Sequence, residues 1–204
     1  KFATADTAAN KVTISGTVTV DTLHVGDQSA ALFSGYADFT GSGGVTIGTI
    51  VVTSGNHANE YSTLQFNYAV TSSNGITIND KNDTAYQAYL IFAGNNTATI
   101  ASDIIVVDNE GTLKVTGTGK TFTGTIGTST DALELIDIDV ATTINNAVYT
   151  SDLEVDGEID TLGTSSIFVS ETAAIGADVT TSGTQTYTGA VTLSADVVLT
   201  TTNS

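Results

Sequence analysis

Apolar residues recur at every second position through much of this chain, and Thr or Ser fills most of the positions between them. Residues 184–201, TQTYTGAVTLSADVVLTT, show the pattern in its longest form. Tyr187, Val191, Leu193, Val197 and Leu199 are set off by hydroxyl residues, with Gly189 and Ser194-Ala195-Asp196 as places where a strand can bend. A period of two sends alternate side chains to opposite faces, so this stretch predicts strand, turn, strand, with one face buried and a Thr face in water. Residues 11–25 repeat the pattern, with Val12, Ile14, Val18 and Val20 out of phase with Thr13, Thr17 and Thr19 and a bend at Ser15-Gly16. Further strands are predicted over 45–52, 64–70, 76–78 and 86–92. They are separated by GSGG at 41–44, SGNHANE at 54–60, the Asn74-Gly75 turn and NDKND at 79–83.

From residue 90 onward a longer period is superimposed. Leu90, Leu113, Leu133, Leu153, Phe168 and Tyr187 open comparable strand pairs at intervals of 23, 20, 20, 15 and 19 residues. Short strands and turns repeating about every twenty residues predict stacked rungs, each burying its inward side chains only against its neighbours. The expected fold is therefore all-β, a parallel β-helix (β-solenoid), in a single domain over residues 1–204. Residues 1–111 form irregular N-terminal rungs and residues 112–204 more regular repeats. An antiparallel β-sandwich or jelly roll is the rival, since it too has many short strands at regular spacing.

Residues 175–201, IGADVTTSG followed by TQTYTGAVTLSADVVLTT, resemble the repeat of large secreted bacterial adhesins of the filamentous haemagglutinin and autotransporter type. The shared form is G-x-Q-T-Y-x-G-A-V-T-L-x-A-D-T-x-L-T, with Val197 standing where that repeat has Thr. Residues 112–170 match it in style only. The resemblance implies a right-handed parallel β-helix, export to the cell exterior and a structural or adhesive role.

Composition sharpens this picture. Thr makes up about a fifth of the chain, and Pro, Cys, Met and Trp are absent, so neither a disulfide nor a thiolate metal site is available. The chain opens at Lys1 without a basic-then-apolar leader, which reads as a segment processed or excised from an exported precursor. The formal charge is −17, and residues 121–204 carry twelve acids and no Lys. Such a surface repels phosphate backbones and anionic lipid, so neither nucleic acid nor membrane insertion is expected. The expected partners are other copies in a head-to-tail filament, further rungs of a longer chain, and host or matrix glycans.

The acidic run DLEVDGEID is the sharpest chemical feature. Asp152, Glu154, Asp156, Glu158 and Asp160 occupy alternate positions, so one extended strand would line them on one face about 6.6 to 7 Å apart. Asp137 and Asp139 repeat the spacing one rung earlier. Stacked rows of carboxylates favour a hard cation between them, and Ca²⁺ is the candidate, with a solvated acidic face as the alternative. His57 and Glu60 lie in a Gly-Asn loop without the fixed geometry a zinc site needs, and His24 lies in a strand. There is no G-x-S-x-G elbow, and no cation beyond residue 120 to serve a polysaccharide lyase, so the expectation is a non-enzymatic extracellular structural protein, part of a surface filament or adhesin stalk. The alternatives are a β-sandwich filament subunit joined by donation of its N-terminal strand and a carbohydrate-active β-helix enzyme. Phe33, Tyr36 and Phe39 are the candidate ligand-stacking cluster. The ends carry the last expectation. Val12, Ile14, Val18 and Val20 at one end and Val197, Val198 and Leu199 at the other form uncharged sheet edges suited to self-association.

Overall fold

The computed structural model describes residues 12–26, 35–54, 61–80, 88–107, 109–160 and 165–202. The first rungs are built from β1 (Val12–Ile14) and β2 (Val18–Gly26), then β3 (Gly35–Phe39) and β4 (Val45–Thr53). In the next two, three separate strands turn the corners: β5 (Ser62–Phe66), β6 (Val70–Ser72) and β7 (Ile76–Asn79), then β8 (Ala88–Phe92), β9 (Ala98–Ile100) and β10 (Ile104–Val107). The chain continues through β11 (Thr112–Val115), β12 (Lys120–Phe122), β13 (Leu133–Ile138), β14 (Thr142–Ile144), β15 (Val148–Val155) and β16 (Ile159–Asp160). It ends with β17 (Ile167–Val169), β18 (Ala173–Ile175), β19 (Val179–Thr181), β20 (Gln185–Tyr187), β21 (Val191–Leu193) and β22 (Leu199–Thr201).

Every strand pairing among the described residues is parallel, which settles the architecture as a β-solenoid and rules out the antiparallel sandwich. Three faces wrap one core. The first stacks β1, β3, β5, β8, β11, β13, the second half of β15, β18 and β21. The second stacks the first halves of β2 and β4 with β6, β9, β12, β14, β16, β19 and β22. The third carries the second halves of β2 and β4, then β7, β10, the bridging residue Ile126, the first half of β15, β17 and β20. At ~4.8 Å per stacked strand the axis runs roughly 40 Å.

Alternation holds on each face. On the first, Leu64, Leu90, Leu113, Ile136 and Leu153 form one buried column, and Phe39, Phe66, Phe92, Val115, Ile138 and Val155 the next. Phe39, Phe66 and Phe92 stack at centroid distances of 5.1 and 5.8 Å, and Phe122 from the second face meets Phe92 edge-on at 5.0 Å. The outward column of the second face is a hydroxyl ladder, with Thr99, Thr121 and Thr143 in register and Thr180 beside Thr200 further along.

The rungs differ in length. Register steps on the first face are 27 residues from Ala37 to Leu64, 26 to Leu90, 23 to Leu113, 23 to Ile136, 17 to Leu153, 20 to Ala173 and 18 to Val191. The expected equivalences are corrected at two points. Leu133 is not the partner of Leu113: it pairs with Thr150, and Ile136 takes the place beside Leu113 and Leu153. Leu133 lies ahead of the stretch that meets β11, whose pairing begins with Thr112 beside Leu135, and the amides of Glu134 and Leu135 both donate to Gly111 O, at 3.2 and 3.4 Å. Phe168 and Tyr187 belong to the third face, where Phe168 pairs with Tyr149 and Thr186, whereas Leu153 lies on the first.

Candidate functional site

Among the described residues, the two sheet ends, an acidic corner and an aromatic groove are candidate functional surfaces. At the C-terminal end, Val191 and Leu193 stand in register with buried Ala173 and Ile175, and Leu199 stands in register with buried Val179. They occupy inward columns, yet they are 42, 52 and 43 % exposed because no described residue stacks beyond them. Val198 is 58 % exposed, its amide donating to Asp178 Oδ1, while Val197 packs partly on the core. Tyr187 is in register with Val169, and burial pushes its phenol up to about 12. At the other end Val12, Ile14 and Val18 are half-buried, and Val20 is exposed although its partner Ile47 is buried. Among the described residues, Val12, Ile14, Val18 and Val20 thus lie in the first strands of the stack and Leu199 in the last, with Val197 and Val198 just before it and with Val191 and Leu193, which sequence reasoning passed over, in β21.

The acidic run does not form one strand face. β15 ends at Val155, the chain turns at Asp156-Gly157, and β16 begins at Ile159, because the amides of Asp156 and Gly157 both bond to Ile138 O. A Cβ at Gly157 would collide with Val140, so the corner requires Gly there. Asp152 and Glu154 thus belong to the first face, exposed Asp156 and Glu158 to the corner, and Asp160 to the second face.

The rows do stack as expected where Asp137 pairs with Glu154, and a cation is present beside them: Lys114, the neighbour of Asp137 in the same column. Its Nζ donates to Asp137 Oδ2 and, at 3.2 Å, to Asp139 Oδ1. Burial works against the charge on Lys114, but the hydrogen bonds to Asp137 and Asp139 outweigh it and raise its pKa. Asp137 does not shift in mirror image. Burial raises its carboxyl, and the neighbouring Asp139 adds to this, together outweighing Lys114. Asp152 Oδ1 is held by the amide (2.9 Å) and the hydroxyl of Thr172.

One cluster of three carboxylates among the described residues was not singled out by the sequence. Asp80, Glu110 and Glu134 place oxygens within 4.8 Å of one another. They come from three successive rungs, so only stacking brings them together. Asp80 is fully buried and accepts from Ser54 Oγ at 2.6 Å and from the Ala88 amide at 2.8 Å. Burial raises the pKa of Glu134, with Asp80, Asp152 and Glu171 adding repulsion. Lys120 was also missed. It occupies an inward position of the second face, 1 % exposed, donating to the carbonyls of Gly94 (2.5 Å), Asn96 (3.0 Å) and Thr118 (3.3 Å), and burial lowers its pKa.

His57, Glu60 and Phe33 lie outside the described residues. His24 meets Thr53 Oγ1 at 3.1 Å through Nε2. The expected stacking cluster is corrected: Phe39 is buried in the aromatic core column, and the Tyr36 hydroxyl donates to Gln65 Oε1 at 3.1 Å on the outer face. An outward-facing stacked pair is formed instead by Tyr149 and Phe168, parallel within 8° at 4.8 Å. No family model, no curated protein and no solved structure matches this chain.

Proposed function

We propose that this chain is a non-enzymatic structural segment of an extracellular filament or adhesin stalk, a stiff spacer that lengthens by adding β-solenoid rungs at its ends. The observation that carries this reading is the exposure of inward-column apolar side chains in the last described rung. Inward-column side chains at β21 and β22 lie open, and β1 and β2 offer the same columns at the opposite end. A rung laid across either end would bury apolar side chains and pair the free N–H and C=O groups of an edge strand. The next rung comes from a second copy or from a further part of a longer chain. Head-to-tail addition does not close, so it yields a rod rather than a ring. The likeness of residues 175–201 to adhesin repeats, which here span β18 to β22, supports an exported setting.

Electron microscopy with sedimentation velocity tests the proposal. The 204-residue chain is expected to form rods at high concentration, and Leu193→Lys with Leu199→Lys is expected to reduce them to monomers. Monomers alone at every concentration would remove self-assembly, and a compact scattering profile would remove the rod.

A further inference from the structure

A second surface, remote in kind from the sheet ends, has the make-up of a ligand site. On the third face the outward column reads Ile105, Gly127, Tyr149, Phe168 and Thr186 in register. The two rings stack on each other at the strand spacing. The column is then interrupted on both sides, by a glycine before Tyr149 and by a short, exposed threonine after Phe168, so no large side chain of that column tops the pair. The turn after Gly127 builds one wall: the Thr128 amide donates to Asp131 O at 2.9 Å, and Asn109 Oδ1 accepts from the Ala132 amide at 2.8 Å. The result is a groove of about 460 Å³, lined by the two rings and by Asn109, Ser129, Glu171 and Thr186 among others. This volume falls in the usual range for small-molecule sites, ~300–1,000 Å³.

We propose that the Tyr149–Phe168 groove binds an uncharged oligosaccharide. The chemistry selects that class by elimination and by fit. The lining contains no Lys, Arg or His, and its one charged group is a carboxylate, Glu171, which disfavours phosphate, sulfate and uronate ligands. A nucleic acid is disfavoured by the net charge of −17. An extended peptide has no edge to add to, because β15 and β17 are each paired on both sides. A neutral sugar needs an aromatic surface for its C–H face and a surround of hydroxyl, amide and carboxylate groups for its hydroxyls. This groove supplies both. The proposal is independent of end-to-end assembly, since a chain that stays monomeric can still bind sugar and one that polymerises can fail to.

The test is saturation-transfer NMR and calorimetry on the whole chain with cellohexaose, maltohexaose, laminarihexaose and N-acetylated chitohexaose, with hexagalacturonate as the anionic probe. Saturation transfer to at least one neutral hexasaccharide is expected. Phe168→Ala and Tyr149→Ala should weaken it by about tenfold or more, roughly the loss of one well-placed contact. Thr186→Phe, at an exposed strand position, should weaken it as well by filling the groove beside Phe168. Tyr36→Ala, on the first face, should leave it unchanged. Absence of transfer to all four neutral probes would overturn the proposal. So would preference for hexagalacturonate, or undiminished binding in both the Thr186→Phe variant and a Tyr149→Ala variant with wild-type circular dichroism.

Discussion

Replacing Phe92 by Ala removes the centre of the aromatic column and asks whether the stacked core is one continuous packing unit. Phe92 is fully buried, with Phe66 at 5.8 Å on one side and Phe122 edge-on at 5.0 Å on the other. Truncating a buried Phe costs about 3–5 kcal/mol, and each aromatic pair accounts for about 0.5–1.5 kcal/mol beyond area burial. Because Phe92 takes part in two ring pairs, the expected cost lies in the upper half of that range, about 4 kcal/mol. Leu193→Ala, at a half-exposed position of the open end, removes much less burial and should cost about 1 kcal/mol. In a solenoid each rung is stabilised by its neighbours, so the central lesion should also uncouple the two halves. Urea unfolding followed by far-ultraviolet circular dichroism and by Tyr fluorescence reads both effects: a large midpoint shift and loss of coincidence between the probes for Phe92→Ala, neither for Leu193→Ala. A double-mutant cycle of Phe92 with Phe122 should return about 1 kcal/mol of coupling. A Phe92→Ala cost no greater than that of Leu193→Ala would refute the continuous core.

Glu134 has a folded-state pKa raised by burial, so between its unfolded and folded values the native state holds the extra proton and stability falls as pH rises through that window. Glu134→Gln should therefore melt higher than the parent at pH 7, the difference disappearing below the ordinary Glu value of about 4.3. Gly189→Ala would drive a Cβ into the Glu171 carbonyl, and overpacking of that kind costs about 1–3 kcal/mol. Faster amide exchange across β20 to β22, with the remaining strands unaffected, is the expected readout. The calcium expectation is checked by melting with and without chelator. With Asp152, Glu154, Asp156, Glu158 and Asp160 spread round a corner and Lys114 already beside Asp137, the melting temperature should ignore chelator. A drop on chelation that vanishes in Glu154→Gln/Asp156→Asn would assign the ion to that corner.

Much of the fold was legible in the chain because a period of two is a local property. Val12, Ile14, Val45, Ile47, Leu64 and Phe66 declare an inward face, and the interleaved Thr residues an outward one, whatever lies beside them. Repetition near twenty residues then made stacking the economical way to bury those faces, and the parallel register followed. Which residue meets which was not local. Steps that vary from 27 to 17 residues depend on how much chain each corner consumes, and the length of chain between β11 and β13 sets Ile136 rather than Leu133 beside Leu113. For the same reason the acidic run, regular in sequence, was divided by the turn at Asp156-Gly157, since alternation states which side of a strand a residue takes but not where the strand ends. Asp80, Glu110 and Glu134, and likewise Tyr149 and Phe168, are separated by a full rung or more and become neighbours only when rungs stack. Lys120, which no sequence pattern singled out, fills an inward position where the backbone carbonyls of Gly94, Asn96 and Thr118 converge on its ammonium. The sequence alone determined the faces; the lengths of the corners, expressed only in three dimensions, decided their partners.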